Sequence, residues 1–251
     1  PRARWIFTLL CWVCVGFEER HHPLFRSVDF VVTCEDGLLR QLRDAGARAH
    51  RIAHGFEHSM AERVPAVDEP TADVFFAGSL VVSDGYHRRR VRLLQALAAQ
   101  GVDVRMHSRP VEARGALPEG LRERIAPPVF GVDMYRALAG ARIAFNNHID
   151  AVESAANLRL FEATGMGTCL ITDHKPGLAE LFDIDREVVA YASAEECAEK
   201  VRWLLEHPAE RQAIARAGRR RTLADHRLQD RVGMLHDILR RELARKAGRA
   251  A

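Results

Sequence analysis

The chain has 251 residues, of which 47% are hydrophobic, enough to bury a core as one large domain or two modest ones. Its formal net charge of +3 is too small to indicate a nucleic-acid-binding protein, and no nucleic-acid partner is expected. Five cysteines without framework spacing argue against a disulfide scaffold, and the lone Cys11-Trp12-Val13-Cys14 motif against a metal or redox site. Reduced thiols and a cytoplasmic location are therefore expected.

The first sixty residues predict a strand–helix–strand unit. Residues 5–17 are apolar but too few to span a bilayer, and no small-residue cleavage site follows, so a buried strand is predicted there. Residues 28–33 form a β-branched run, residues 35–45 carry leucines at helical spacing, and residues 48–53 predict the next strand. A strand–helix–strand unit of this kind implies a parallel sheet.

Residues 61–72 contain two prolines and lack periodicity, which predicts a linker. Strands and helices then alternate. The predicted strands are residues 73–77, 102–107, 127–130, 142–146, 168–172 and 188–191. The predicted helices are residues 88–100, 133–139, 157–164, 177–182, 194–206, 209–221 and 225–246. This alternation predicts a doubly wound α/β domain over residues 73–230, followed by a basic helical segment over residues 231–251.

Positive charge is concentrated at the C-terminal end. Residues 209–251 hold twelve Arg or Lys against five Asp or Glu. One interpretation is a solvated helical face. The other is a basic helix near a phosphate-bearing ligand or an anionic membrane surface, so peripheral membrane contact through the basic C-terminal helix stays open.

Residues 157–173, NLRLFEATGMGTCLITD, place a carboxylate inside a predicted helix that ends in glycines and runs into a buried strand. Such a unit puts polar side chains on the rim of a parallel sheet, where α/β proteins bind nucleotides. The carboxylate of Glu162 suits the paired hydroxyls of a ribose; the alternative is an i,i+3 ion pair with Arg159. The first helical turn, with Asn157 and Arg159, favours a diphosphate, and Ser154 is a predicted N-cap.

These residues resemble the donor-binding signature N-x-R-x-F-E-A-x-x-x-G of GT-B glycosyltransferases, in particular the CgeB-like (spore-maturation) branch near the group 1 transferases. The matching positions are Asn157, Arg159, Phe161, Glu162, Ala163 and Gly167. The resemblance implies an α/β fold of GT-B type in which residues 73–230 are a complete Rossmann-like donor domain. Residues 1–60 would be the last βαβ part of an N-terminal Rossmann-like domain, with most of that domain missing.

The resemblance also assigns roles to residues elsewhere in the chain. Gly78 and Ser79, in FFAGS, resemble F-V-G-S, a loop that faces the donor phosphates. His87-Arg88-Arg89-Arg90 resembles H-x-x-R, which makes Arg90 a predicted phosphate neighbour. In the family the glutamate that matches Glu162 holds the ribose of the nucleotide.

Two further motifs follow the same resemblance. Asn146-Asn147-His148 resembles L-N-x-H at the end of a strand, where ligands collect in such sheets. His148 would assist proton transfer or hydrogen-bond the donor, or else be a structural histidine. Gly131 and Tyr135 lie where relatives hold the base of the nucleotide.

Two positions depart from the pattern or leave it open. Many retaining group 1 relatives have a sugar-contacting glutamate eight positions before the one that matches Glu162, where this chain has Ser154, with Glu153 one position earlier. That glutamate is therefore absent or shifted. Asp173, which closes the strand after the signature, is expected to cap the following turn.

The resemblance implies a hexosyltransferase-like, metal-independent enzyme without cofactors that passes the sugar of a nucleotide-diphosphate sugar to an unknown acceptor, whether glycan, protein or small molecule. The alternative is a non-catalytic sugar-nucleotide-binding or scaffold module. A dinucleotide-dependent enzyme does not fit, because Gly165-Met166-Gly167 follows a helix and precedes a strand, the reverse of the G-x-G-x-x-G order.

Overall fold

The computed structural model describes residues 8–11, 25, 27–65, 67, 69–81, 85–108 and 117–248. In these ranges the strands are β1 (Thr8–Cys11), β2 (Phe30–Thr33), β3 (Ala49–Arg51), β4 (Ala72–Ala77), β5 (Val104–His107), β6 (Ile125–Ala126), β7 (Ala141–Asn146), β8 (Cys169–Asp173) and β9 (Val189–Tyr191). The helices are α1 (Asp36–Asp44), α2 (Met60–Arg63), α3 (Arg88–Ala99), α4 (Glu119–Arg122), α5 (Gly131–Ala139), α6 (Arg159–Met166), α7 (Leu178–Leu181), α8 (Ala194–Glu206), α9 (Pro208–Asp225) and α10 (Leu228–Gly248).

The first sheet is parallel and has the order β1-β2-β3. Its crossover helix α1 buries Leu38 and Leu42 against Val31 of β2, as the leucine spacing predicts. Glu35 caps this helix, because its Oε2 accepts a hydrogen bond from the backbone N–H of Leu38 at 2.5 Å. Capping satisfies an amide that the first helical turn leaves unpaired.

The second sheet is also parallel and has six strands in the order β6-β5-β4-β7-β8-β9. Counted from β4, the order is 3-2-1-4-5-6, that of the Rossmann-type doubly wound fold. The direction of the order reverses between β4 and β7, whose register pairs Val74 with Ile143. In open α/β sheets a crevice forms at the carboxyl ends of the strands at this reversal.

Both faces of the second sheet are covered, which explains why its strands are apolar throughout rather than alternating. On one face Phe76 belongs to a core with Leu94 of α3 and Val201 of α8. On the other, Phe75 shares a core with Leu138 of α5 and Leu160 of α6. Successive side chains of a strand point to opposite faces, so the two adjacent phenylalanines anchor different helix layers.

The last helix, α10, packs back on the first sheet, where Ile238 contacts the core formed by Phe30 and Val32. Glu242, whose side chain is 3% exposed, lies 2.6 Å from Arg48, 2.9 Å from His50 and 2.8 Å from Arg245. We call Arg48, His50, Glu242 and Arg245 the C-terminal clasp. It joins the end of the chain to the sheet formed by its beginning.

One predicted strand is misplaced, and the predicted linker overlaps two observed elements. The strand predicted at residues 127–130 is β6 at Ile125–Ala126 instead, paired with Met106 and His107; Pro127 and Pro128 have no N–H to donate to a sheet. The linker predicted at residues 61–72 begins inside helix α2 and ends at Ala72, the first residue of β4. The helix α4 was not predicted.

The other predicted strands and helices of the second sheet lie within a few residues of the observed ones. Of residues 5–17, predicted as one strand, Thr8–Cys11 form β1 and the rest lie outside the described residues, as does the Cys14 thiol. Cys34, Cys169 and Cys197 are buried. Burial raises the pKa of the Cys34 thiol to about 11 and those of the other two to about 12.

The division into residues 1–60, 61–72, 73–230 and 231–251 as functional units stays a prediction. None of the helices in the described ranges is both long enough and apolar enough to cross a bilayer.

Candidate functional site

A cavity of about 320 Å³ opens beside the end of β7, at the reversal of strand order. Its wall is formed by the loop after β7, by α3, by the segment that leads into α6 and by His54, which follows β3. The lining residues are His54, Arg90, His148, Ile149, Val152, Ala156, Asn157 and Leu158. We call this space the first cavity. Its position is the one at which doubly wound sheets bind their ligands.

Arg90 is a buried cation on the wall of the first cavity, with 6% of its surface exposed. Its Nη1 donates to the carbonyl of Ser79 at 2.9 Å and its Nη2 to the carbonyl of Asn147 at 2.5 Å. The guanidinium lies over the ring of Phe76, 5.4 Å from the centroid. Burial lowers the pKa of Arg90 to about 10, so the side chain keeps its charge at neutral pH and joins the ends of β4 and β7.

His148 and Asp173 form a buried pair at the ends of β7 and β8. Oδ1 of Asp173 accepts from the backbone N–H of His148 at 2.9 Å and lies 2.8 Å from its Nδ1. Burial alone would raise the pKa of the Asp173 carboxyl, but the hydrogen bonds from His148 outweigh it and lower that pKa. An ionised carboxylate accepts from Nδ1–H, which leaves Nε2 for other partners. The turn-capping role expected of Asp173 is therefore wrong.

Helix α6 begins at the wall of the first cavity, because Asn157 and its N-cap residue Leu158 both line that space. The Oδ1 of Asn157 accepts from the backbone N–H of Arg159 at 2.9 Å, so Asn157 and not Ser154 satisfies the first turn. Ser154 instead binds the first sheet's helix. Its Oγ lies 3.0 Å from Oε1 of Glu35 and accepts from the backbone N–H of Asp36 at 3.2 Å.

Glu162 lies one turn into α6 and is 5% exposed. Its Oε2 is 2.7 Å from Nη1 of Arg159, and its Oε1 accepts from the hydroxyl of Tyr135 at 3.4 Å. Burial raises the pKa of Glu162, and burial together with that carboxyl raises the pKa of Tyr135 to about 12. The ion pair that the sequence offered as the alternative is thus present. A ribose contact stays a prediction, and the carboxylate, with one partner on each oxygen, still has acceptor sites for it.

A second cavity, of about 370 Å³, adjoins the first and shares His54 and Leu158 with it. It lies between the carboxyl ends of β2 and β3, helix α5 and the start of α10. Its other lining residues are Val32, Thr33, Cys34, Ile52, Ala53, Gly55, Glu57, Tyr135, Leu228, Arg231, Val232 and Leu235. Both sheets therefore direct the ends of their strands toward one cleft.

Four other predicted residues, Gly78, Ser79, Asn146 and Gly131, are not among the lining residues of either cavity. A Cβ on Gly78 would come within 3.0 Å of the Phe76 ring, and the exposed Ser79 contributes its carbonyl to Arg90. Asn146 is buried and donates from Nδ2 to Oγ1 of Thr172 at 2.9 Å, behind the cavity wall. Gly131 is exposed at the start of α5 with a φ of 55°.

The structure thus brings Arg90, His148 and Asn157 together around the first cavity, whereas Tyr135 lies on the second. Sequence reasoning missed His54, which follows β3 of the other sheet and reaches the first cavity only through the tertiary fold. It also missed the partnership of His148 with Asp173. The signal for that pair was available, because both residues end adjacent parallel strands and such ends share one sheet edge.

An all-parallel sheet of this order, with a cavity at its reversal and a second sheet facing it, defines a GT-B-type α/β protein with a Rossmann-like donor domain. The sequence profile of the Glycosyl transferase-like family matches residues 88–246, more than half of the chain. The chain therefore belongs to this family, and it spans about three fifths of the length of the sucrose-phosphate synthase with which it shares its fold.

Solved structures with the same fold include a sucrose-phosphate synthase from Thermosynechococcus elongatus, 17% identical with a TM-score of 0.65, over 89% of this chain and 61% of that one. HepE from Anabaena in complex with UDP-glucose is 13% identical with a TM-score of 0.68, over 92% and 72% of the two chains. A glycosyltransferase from Rickettsia africae is 12% identical with a TM-score of 0.65, over 93% and 70%. A comparison with curated proteins found no match.

Proposed function

We propose that the protein binds a nucleotide-diphosphate sugar in the first cavity and transfers the sugar to an acceptor. The observation that carries this proposal is the buried guanidinium of Arg90, held on the cavity wall beside the start of α6. Among the described residues, no carboxylate lies within hydrogen-bond range of Arg90, and a buried cation without such a partner is costly. A bound diphosphate would supply the missing negative charge.

The first cavity suits a diphosphate in a second respect. The N-terminal end of a helix carries partial positive charge and unpaired amides, and both favour phosphate. Asn157 and Leu158 place that end of α6 on the cavity wall. Arg90 and the helix would together stabilise the negative charge that grows on the leaving diphosphate as the glycosidic bond breaks.

The lining also favours the metal-independent chemistry that the family resemblance implies. Among the described residues that form the wall of the first cavity, none is a carboxylate, and hard divalent cations take carboxylate oxygens as ligands. Neutralisation by Arg90 and the helix is the alternative that the chain offers. No further cofactor is proposed.

The nucleoside would lie toward Tyr135 and Glu162, with the carboxylate of Glu162 as the ribose ligand that the signature implies. HepE, which shares the fold, was crystallised with UDP-glucose, and this supports a nucleotide sugar as donor. The CgeB-like branch and hexosyltransferase-like specificity are proposed on the matching signature residues, and the missing N-terminal part stays a prediction of that resemblance.

The acceptor would enter from the side of the second cavity, which adjoins the first at His54 and Leu158. Most of that lining is apolar, but Glu57 and Arg231 add charge, so glycan, protein and small-molecule acceptors all remain candidates. Peripheral membrane contact through the basic α10 also stays a proposal. It draws support from exposed apolar and basic side chains on that helix, among them Val232, which is 60% exposed, and the exposed Arg240 and Arg241.

Isothermal titration calorimetry with UDP-, GDP-, TDP- and ADP-linked sugars tests the donor site. We expect one donor class to bind, and release of free nucleotide diphosphate in the presence of candidate acceptors to show turnover. A panel in which no nucleotide sugar binds would contradict the proposal. Binding without release, across glycan and small-molecule acceptors, would instead favour the non-catalytic module.

A further inference from the structure

We propose that His148 becomes a protonated ligand of the donor diphosphate, so that binding of a nucleotide sugar takes up a proton from solution. The inference rests on the proposed function, because it needs a diphosphate beside Arg90. It concerns binding alone and assigns His148 as a cationic ligand and Asp173 as the residue that positions it.

The geometry leaves one atom of His148 without a role in the fold. Nδ1 faces Oδ1 of Asp173 at 2.8 Å, whereas Nε2 is buried and has no hydrogen-bond partner among the described residues. The residue is 2% exposed and lines the first cavity. Buried polar atoms are nearly always hydrogen-bonded, and an exception requires an explanation such as an absent ligand.

The surroundings of His148 favour an anion over a hydroxyl as this ligand. The backbone carbonyl of the adjacent Asn147 accepts from Nη2 of Arg90, so the imidazole and the guanidinium lie on the same stretch of wall. Nε of Arg90 is likewise buried without a partner among the described residues. Two cationic groups with unused donors, beside the positive end of α6, match the several acceptor oxygens of a diphosphate.

A phosphate oxygen accepts hydrogen bonds and cannot donate one at neutral pH, so contact with Nε2 requires a proton on that nitrogen. Since Nδ1–H already donates to Asp173, the ring must become an imidazolium. The carboxylate of Asp173 stabilises this cation at Nδ1, as a buried Asp does for a catalytic histidine. The diphosphate would stabilise it at Nε2.

The other charged and titratable groups near His148 and Asp173 affect whether diphosphate binding takes up or releases a proton. Arg90 opposes a second positive charge, and so does Lys175, which acts electrostatically on Asp173. Asp150 acts on Arg90, and Tyr191 lies within electrostatic range of Asp173. His54 shares the cavity, and burial lowers its pKa. A bound diphosphate adds negative charge to this set of groups, which favours the proton on Nε2 that the proposal requires.

Proton uptake on binding means that affinity is higher at low pH and falls as the pH rises. The probe is the nucleotide sugar that binds best, starting with UDP-glucose, because each of its phosphates carries one ester and one anhydride bond and so does not titrate near neutral pH. Calorimetry in two buffers with different ionisation enthalpies, at several pH values from 6 to 8.5, counts the protons. We expect fractional proton uptake and about a tenfold loss of affinity across this range, the size of one charge-assisted hydrogen bond.

Three variants test whether His148 is the group that takes up the proton. In His148→Gln the uptake should disappear and affinity should become independent of pH. His54→Gln should retain the uptake, and Asp173→Asn should reduce it while keeping the fold, as checked by circular dichroism. Wild-type protein that binds the donor without proton uptake, or uptake that survives in His148→Gln, would overturn the inference and leave the proposed function intact. Failure of every nucleotide sugar to bind would overturn both.

Discussion

Arg90 has a structural role in the fold that also suits the binding role proposed for it. Its two Nη atoms hold the ends of β4 and β7 through the carbonyls of Ser79 and Asn147, which fixes the guanidinium in place before a ligand arrives. A cation that is already ordered loses little conformational freedom on binding. This preorganisation, rather than charge alone, distinguishes Arg90 from the exposed Arg88 on the same helix.

Replacement of Arg90 by Gln should weaken nucleotide-sugar binding by about tenfold to a hundredfold, because a hydrogen bond to a charged group contributes about 1.5–3 kcal/mol. Arg88→Gln is the matched control, since its side chain is exposed on the same turn. Calorimetric titration of both variants measures the difference. Equal affinities in the two variants would remove Arg90 from the site.

Glu162 offers a test of the ribose contact. Glu162→Gln should lower affinity for a ribonucleotide sugar by about tenfold, yet leave affinity for a 2′,3′-dideoxy analogue nearly unchanged, because the lost interaction is with the hydroxyls. Asp133→Asn, which breaks an exposed i,i+3 pair with Arg136, is the control. Equal losses for both analogues would show that the carboxylate serves only its pair with Arg159.

At the scale of elements, helix α9 approaches its neighbours closely at Gly218. A Cβ there would lie 2.4 Å from the carbonyl oxygen of Glu187 and 3.2 Å from Cγ2 of Thr164 on α6. Gly218→Ala should therefore destabilise the protein by about 2 kcal/mol or more, within the range of overpacked cores. Gly233 on α10 has open space around it, and Gly233→Ala should stabilise by up to about 1 kcal/mol. Thermal unfolding of the two variants should move in opposite directions.

The C-terminal clasp makes stability depend on pH. Burial alone would raise the pKa of Glu242, but hydrogen bonds from Arg48, Arg245 and His50 lower it from 4.5 to about 2. Because the pKa of Glu242 is lower in the folded chain than in the unfolded chain, the ionised carboxylate stabilises the fold at pH values above about 4.5. This stabilisation is lost as the pH falls from about 4.5 to 2. The amount is about 2 kcal/mol after allowance for the partly exposed Arg48.

Urea unfolding between pH 7 and pH 3 measures this dependence. Glu242→Gln should be less stable than wild type at pH 7, and the difference should shrink toward pH 3. Glu153→Gln, which alters the exposed pair with Arg40, should change little at either pH. A constant difference between Glu242→Gln and wild type across the range would contradict the charge-based account of the clasp.

The elements show which features local sequence determines. The strands of the second sheet other than β6 were predictable, because doubly buried strands are apolar runs, and so were its longer helices, because each carries its own periodicity. The cap of α1 by Glu35 and the placement of β6 before two prolines depend on hydrogen-bond geometry that composition does not reveal. Ser154 is the clearest case, since its partners Glu35 and Asp36 are more than a hundred residues away.

The residues of the candidate site likewise fall into those that the sequence indicates and those that only the tertiary fold reveals. The resemblance to family motifs indicated Arg90, Asn157 and His148, and those motifs lie at strand ends and helix starts, where an α/β fold collects its ligands. For Glu162 the sequence left two alternatives, a ribose contact and an i,i+3 ion pair with Arg159. The structure shows the ion pair, and the ribose contact stays a prediction. His54 enters from the other sheet, so no pattern within the second half of the chain could indicate it.

On the scale of the whole molecule, two parallel sheets direct their strand ends at a shared cleft, and the chain's last helix returns to the first sheet. The first and second cavities meet at His54 and Leu158, so a donor and an acceptor held in them would come into contact there. Glu35 and Ser154 join the two sides of that cleft through one hydrogen bond. This arrangement is what a transfer between two bound substrates requires.

A crystal structure of the protein with its best-binding nucleotide sugar would show where the donor binds. We expect the diphosphate in the first cavity, with oxygens within hydrogen-bond distance of Arg90, and the nucleoside directed toward Glu162. A nucleotide sugar bound elsewhere, with the Arg90 guanidinium still facing an empty cavity, would contradict this expectation.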